Sequence, residues 1–261
     1  MDLAATAALV TGTDRPLDRA ERVLVVDPSW RSFSHVQGGL VVGHLLAAAA
    51  DLAGATPRAV TAHLLAGVEP SAEASVAVTA DRAGTTGSVR ATMSQHGRLA
   101  AVAQVLTLAR PASPVAEAAP VPVPPVADGV PFALPRDLVP IADHTSIRAL
   151  GSSRPLAGGA EPRLTAWVRI DGDLEPLVQL GVLLDALPPS LFAVRTTPAV
   201  LPTVELTAHL AGPPPAGSAW VLVDQVTTWA DDDLAVDDAE LRAEDGSLVA
   251  RARQTRRLLS R

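Results

Sequence analysis

In the second half of this 261-residue sequence, two polar residues stand where stability alone does not ask for them. Asp185 lies in the last turn of an apolar helix, Leu174 to Leu187, that is stopped by Pro188-Pro189. The helix dipole disfavours negative charge at that end by about 0.3–1 kcal/mol. Gly181 lies one turn earlier on the same face and leaves room beside the carboxylate for a ligand or a water. Gln254 belongs to a strand in which Leu248, Ala250, Ala252 and Gln254 share one face, and Val249, Arg251, Arg253 and Thr255 the other. Its amide is thus in register with the apolar side, where oxygen and nitrogen both need partners, Asp185 or a bound water among them. Plainer accounts stay open: loop amides after the helix for Asp185, and backbone groups near the strand end for Gln254. Thr203 opens another strand. Period two puts it beside Glu205, Thr207 and His209 on a polar side that solvent explains as well, and Thr207 could supply the hydroxyl in its place.

These positions stand out because the chain repeats itself. In each half a short strand (Arg22 to Val26; Leu164 to Ile170) precedes an apolar helix (Gly38 to Leu52; Leu174 to Leu187), and strand patterns follow. In the first half they lie at Val60–Ala66, Ala74–Arg82, Ser88–Gln95 and Leu99–Leu108, and in the second at Val204–Leu210, Trp220–Trp229, Leu234–Ala243 and Leu248–Leu258. Three segments match in order: Gly43-His44-Leu45-Leu46-Ala47 with Gly181-Val182-Leu183-Leu184-Asp185, Thr61-Ala62-His63-Leu64 with Thr207-Ala208-His209-Leu210, and Gly97-Arg98-Leu99-Ala100-Ala101 with Gly246-Ser247-Leu248-Val249-Ala250. The offsets, 138, 146 and 149, rise slowly as small loop insertions would make them. Asp185 replaces Ala47 in this repeat, and Gln254 stands opposite Val105.

Composition narrows the functions available. Without cysteine there is no disulfide, thiolate metal site or cysteine nucleophile, and the 6 histidines show no ligand spacing, so no metal or other cofactor is expected. A net charge of −7 and the lack of any basic block argue against nucleic acid and anionic membranes as partners. The densest basic group, Arg251, Arg253, Arg256 and Arg257, reads as a solvated strand face, with contact to the phosphates of a ligand as the lesser reading. No apolar run of membrane-spanning length and no leader pattern at Met1 to Arg15 is evident, so a cytoplasmic location is expected.

Pro111 to Pro125 is almost all Pro, Ala and Val, an extended stretch that we read as the start of a linker reaching Pro140. The expected division is 1–110, a linker over 111–140, and 141–261. Both helices are apolar nearly all round, as helices enclosed by sheet are. The expected fold is α+β, a tandem double hotdog, with two curved antiparallel sheets each wrapping a central helix.

The same residues resemble the acyl-CoA thioesterase II family of double hotdog enzymes. The likeness rests on Gln37-Gly38-Gly39-Leu40-Val41-Val42-Gly43 and Gln95-His96-Gly97-Arg98 in the first half. In the second it rests on Leu184-Asp185, on Pro202 through His209, and on Asp245-Gly246-Ser247-Leu248-Val249-Ala250 leading to Gln254. The resemblance implies hydrolysis of acyl-CoA by direct water attack, with Asp185, Thr203 and Gln254 holding and activating the water. Gly38 and Gly39, at a helix N-terminus, are candidate donors to the thioester oxygen, although close packing of that helix accounts for them as well. A non-catalytic acyl-thioester binder or structural hotdog subunit is the alternative. An enoyl-CoA hydratase would want a histidine soon after the aspartate, and none lies between Asp185 and Thr203. By analogy, a homo-oligomer, a dimer of double hotdogs, is expected.

Overall fold

The computed structural model describes residues 8–10, 19–109, 119–212 and 214–259. The first half runs β1 (Ala8–Val10), β2 (Arg19–Val25), β3 (Arg31–Ser32), β4 (His35–Val36), α1 (Gly38–Ala53), β5 (Thr56–Leu64), β6 (Glu73–Arg82), β7 (Thr86–Gln95) and β8 (Arg98–Leu108). The second runs β9 (Val130–Phe132), β10 (Thr145–Ala149), β11 (Arg163–Ile170), α2 (Pro176–Leu184), β12 (Thr203–Leu210), β13 (Val221–Ala230), β14 (Leu234–Ala243) and β15 (Leu248–Arg257).

Where two curved sheets were expected, the strands of both halves join in one large sheet, with β3 and β4 forming a separate two-stranded ribbon. The 13 strands of the large sheet are ordered β1-β2-β6-β7-β8-β5-β12-β15-β14-β13-β11-β10-β9, and neighbouring strands pair antiparallel throughout. The two halves form mirror-ordered sets that meet at β5 and β12, so each covers an edge the other would leave open. In that junction Thr61 faces Thr207 directly, their hydroxyl oxygens 3.2 Å apart. These two residues correspond in the internal repeat, so a pseudo-two-fold axis passes between them.

The helices obey the same axis. In α1 every residue from Gly39 to Ala49 is buried, against β5 to β8 and against α2. Gly54, at φ 57°, ends α1 in the left-handed conformation that glycine adopts without strain. A Cβ on Gly181 would collide with the backbone of Gly39 and Gly43, and one on Gly43 would stand 2.7 Å from the Cα of Val178. The two helices cross with backbones in contact, a closeness only glycine allows.

The second helix is shorter than the sequence predicts. It opens with Pro176 at its first position, where the missing N–H costs nothing, and ends at Leu184. Asp185, at φ −128° and ψ 27°, has left the helical region, and Pro188 further on disfavours helix in the residue before it.

Of the predicted linker, positions 111–118 lie outside the described residues. The remainder is structured: β9 pairs with β10, and Trp167 Nε1 donates to the Pro124 carbonyl at 3.1 Å. Among the described residues no helix is long and apolar enough to cross a membrane.

Candidate active site

Four elements converge beneath the sheet at the C-terminal end of α2. Asp185 is placed by the end of that helix, its own N–H bonding the Val182 carbonyl at 3.1 Å. Its side chain is 10% exposed. The N-terminus of α1 meets it from the other half of the molecule, where the Gly39 amide donates to Asp185 Oδ2 at 3.2 Å. Gln37 joins the two helices. Its Oε1 caps α1 by accepting from the Leu40 amide at 2.7 Å, and its Nε2 donates to the Asp185 carbonyl at 2.7 Å.

Thr203 comes from the first position of β12. Its hydroxyl lies 3.2 Å from Asp185 Oδ1 and 3.2 Å from Gln254 Oε1. The orientation of the Gln254 amide is fixed by chemistry. Its other end lies 2.6 Å from the Leu184 carbonyl, which can only accept, so the nitrogen points there and the oxygen points at Thr203. The carboxylate, the hydroxyl and the amide therefore meet around one small volume, Gln254 reaching Asp185 through Thr203.

Strand periodicity misplaces Thr203. A bulge between Thr203 and Glu205 breaks the alternation, so Thr203 turns inward while Glu205, Thr207 and His209 stay on the outer face. Thr207, the other candidate hydroxyl, is engaged there with Glu205 Oε1 at 2.5 Å and with Thr61. The same irregularity occurs in β5, between Pro57 and Ala59, and Pro57 is the repeat counterpart of Thr203. A proline inside a strand marks such a bulge, so the signal was present in the first half.

Arg256 is the larger correction. Read from sequence as part of a solvated face, its side chain is 5% exposed, on the same face of β15 as Gln254. Its Nη1 donates to the Thr203 hydroxyl at 3.0 Å and lies 3.7 Å from Asp185 Oδ1. Its Nε donates to Asp237 Oδ2 at 2.7 Å. Asp237, 1% exposed, also accepts from the Thr227 hydroxyl at 2.6 Å, from Gln225 Nε2 at 3.3 Å and from the Ser190 amide at 3.4 Å. Continuing period two from Gln254 finds Arg256; nothing in the local pattern separates Asp237 from Asp238.

Burial pushes the Asp185 carboxyl above the ordinary aspartate range, opposed by Arg256, by the Gly39 amide and by Thr203. A carboxylate so placed is a better proton acceptor than one in water. Gly38 and Gly39 lie at the same point. A Cβ on Gly39 would fall 2.9 Å from the Asp185 Cβ, and one on Gly38 3.1 Å from Asp185 Oδ2. The tight packing at Gly39 is therefore of helix on helix, and its amide is engaged by the carboxylate.

The repeat counterparts of the site are Ala47 for Asp185, Pro57 for Thr203, Val105 for Gln254 and Thr107 for Arg256. The first half builds the frame of a second centre without its polar groups.

This architecture is that of hotdog proteins. A Thermobifida fusca protein assigned as a thioesterase II superposes with a TM-score of 0.83 at 22% identity, covering 98% of this chain and 96% of that one. A conserved protein of unknown function with a hotdog fold, from Alicyclobacillus acidocaldarius, gives 0.80 at 21%, covering 97% and 96%. The acyl-CoA thioesterase II TesB2 of Mycobacterium marinum gives 0.68 at 15%, covering 97% and 96%. No curated protein sequence matches the chain. Family models do: the acyl-CoA thioesterase N-terminal domain over residues 26–108 and the acyl-CoA thioesterase C-terminal domain over 111–257. The chain belongs to the acyl-CoA thioesterase family.

Proposed function

We propose that this chain is a tandem double hotdog enzyme that hydrolyses fatty acyl-CoA to free acid and CoA by direct attack of water. The observation that carries this reading is the convergence of Asp185, Thr203 and Gln254. Thr203 has one proton for two acceptors, Asp185 Oδ1 and Gln254 Oε1. A water beside them supplies the missing donor and is thereby held. Asp185 takes one proton from that water as its oxygen attacks the thioester carbon. The C–S bond then breaks, and the thiolate of CoA leaves with the proton that Asp185 took from the water, which returns Asp185 to its carboxylate form. Negative charge on the thioester oxygen develops beside Gly38, at the positive end of α1, which favours it, while the Gly39 amide stays with Asp185 Oδ2.

Thiol release from acyl-CoA esters of graded chain length tests the reading. Wild-type protein should release thiol, and Asp185→Asn should lose about 100-fold or more in kcat. The same substitution should leave Tm at neutral pH unchanged or raised, because asparagine keeps the shape without a buried charge. Wild-type protein that binds acyl-CoA yet releases no thiol would instead identify a binding protein.

A further inference from the structure

We propose that Arg256, anchored by Asp237, is a positioning residue: it orients the Thr203 hydroxyl and keeps Asp185 ready to take the proton of the attacking water. The inference rests on the hydrolytic reading above. A guanidinium can only donate, so at 3.0 Å from Nη1 the Thr203 oxygen must accept. The hydroxyl proton is then turned away from Arg256, toward Asp185 Oδ1 and Gln254 Oε1. Without Arg256 the hydroxyl could rotate and accept from the water, and the site would lose its fixed donor.

The anchor is built with care for direction. Both Asp237 oxygens are occupied, Oδ1 by Thr227 at 2.6 Å and Oδ2 by Arg256 Nε at 2.7 Å, so neither carboxylate nor guanidinium is free to swing. Stability does not explain such a pair. Taking two charges out of water costs as much as their attraction returns, and apolar side chains would fill the space as well. Among the described residues Arg256 Nη2 is buried with no partner, which adds to the cost of the pair. The half of the molecule without the polar centre has Thr107 where the other has Arg256, and no guanidinium there.

The charged groups facing Asp185 are Arg256 from β15 and, one step further, Asp237 from β14; α1 faces it with the Gly39 amide. Removing the guanidinium takes away the positive charge that opposes burial, so proton loss from Asp185 should then require a higher pH.

The test compares wild type with Arg256→Lys and with the charge-free pair Arg256→Gln/Asp237→Asn, after circular dichroism and thermal melting have shown that each is folded. In the charge-free pair, kcat for thiol release should fall about 100-fold with KM within threefold, and the acid limb of kcat/KM should move to higher pH. Arg256→Lys, which keeps the charge without the fork, should hold the acid limb near its wild-type position and recover part of kcat. A folded charge-free pair with kcat and acid limb within twofold of wild type overturns the inference. If wild type hydrolyses no thioester, the functional reading fails separately. The inference is then decided by following the Asp185 carboxyl carbon by NMR across pH, where an unmoved midpoint in the charge-free pair overturns it.

Discussion

Asp185 is held between two opposing influences, and its titration should be visible in both rate and stability. As the proposed base it would act only when deprotonated, and burial raises its pKa above the ordinary value of 3.8. The acid limb of a kcat/KM profile should therefore lie above the usual aspartate range. The sign for stability is opposite. Between 3.8 and its raised folded value the unfolded chain holds fewer protons, so Asp185 costs stability as pH rises through that window. A second prediction separates the hydroxyls. Thr203→Val should lower kcat at least tenfold, whereas Thr207→Val, on the outer face, should leave kcat within twofold; steady-state thiol release measures both. Asp185 and Gln254 were legible because each breaks the repeat toward polarity inside an apolar pattern. Thr203 was not legible from its strand, because a bulge reverses its side and only Pro57 in the other half hints at it. Arg256 was hidden by its neighbours: Arg251 and Arg253 are exposed on the other face, and the run reads as one charged surface.

The crossing of α1 and α2 makes the geometry of Asp185 a property of helix packing. Gly39→Ala should overpack this crossing, cost about 1–3 kcal/mol of stability in thermal melting, and reduce kcat with it, because the new methyl group presses on Asp185. Gly38→Ala meets only the end of Leu64 at 2.8 Å and the Asp185 carboxylate oxygen at 3.1 Å, so its cost in thermal melting should be smaller. Long apolar helices and alternating strands declare themselves by period, which is why the principal elements of both halves are legible in order. Short ones do not. The β9 and β10 strands span three and five residues, too few to show alternation, and β9 sits in a proline-rich stretch that argues locally for extended coil. The end of α2 falls three residues before the predicted one because Leu184-Asp185-Ala186-Leu187 continues an apolar helical pattern that the two prolines stop only afterwards.

On the scale of the whole molecule, the site belongs to neither half. Asp185, Thr203 and Gln254 come from the second, and Gln37 and the Gly39 amide from the first. Residues 119–261 expressed alone should release no thiol, and co-expression with 1–118 should restore it, read in the same assay. The core also carries a second pH-sensitive group. His44 on α1 is buried, and desolvation, aided by Arg22, lowers its pKa from 6.5 to about 4. Folded protein thus binds fewer protons than unfolded between those values, so the stability His44 contributes is present above 6.5 and lost as pH falls toward 4. In His44→Leu, Tm should fall less steeply over that interval.

The facing of Thr61 and Thr207 has an evolutionary corollary. In an assembly of two identical chains, any substitution appears on both sides of the axis at once, so a reaction centre and its mirror image are gained or lost together. Joining the two copies in one polypeptide frees each from the other's inheritance. Ala47 can drift while Asp185 stays, and one copy can become a scaffold for the other.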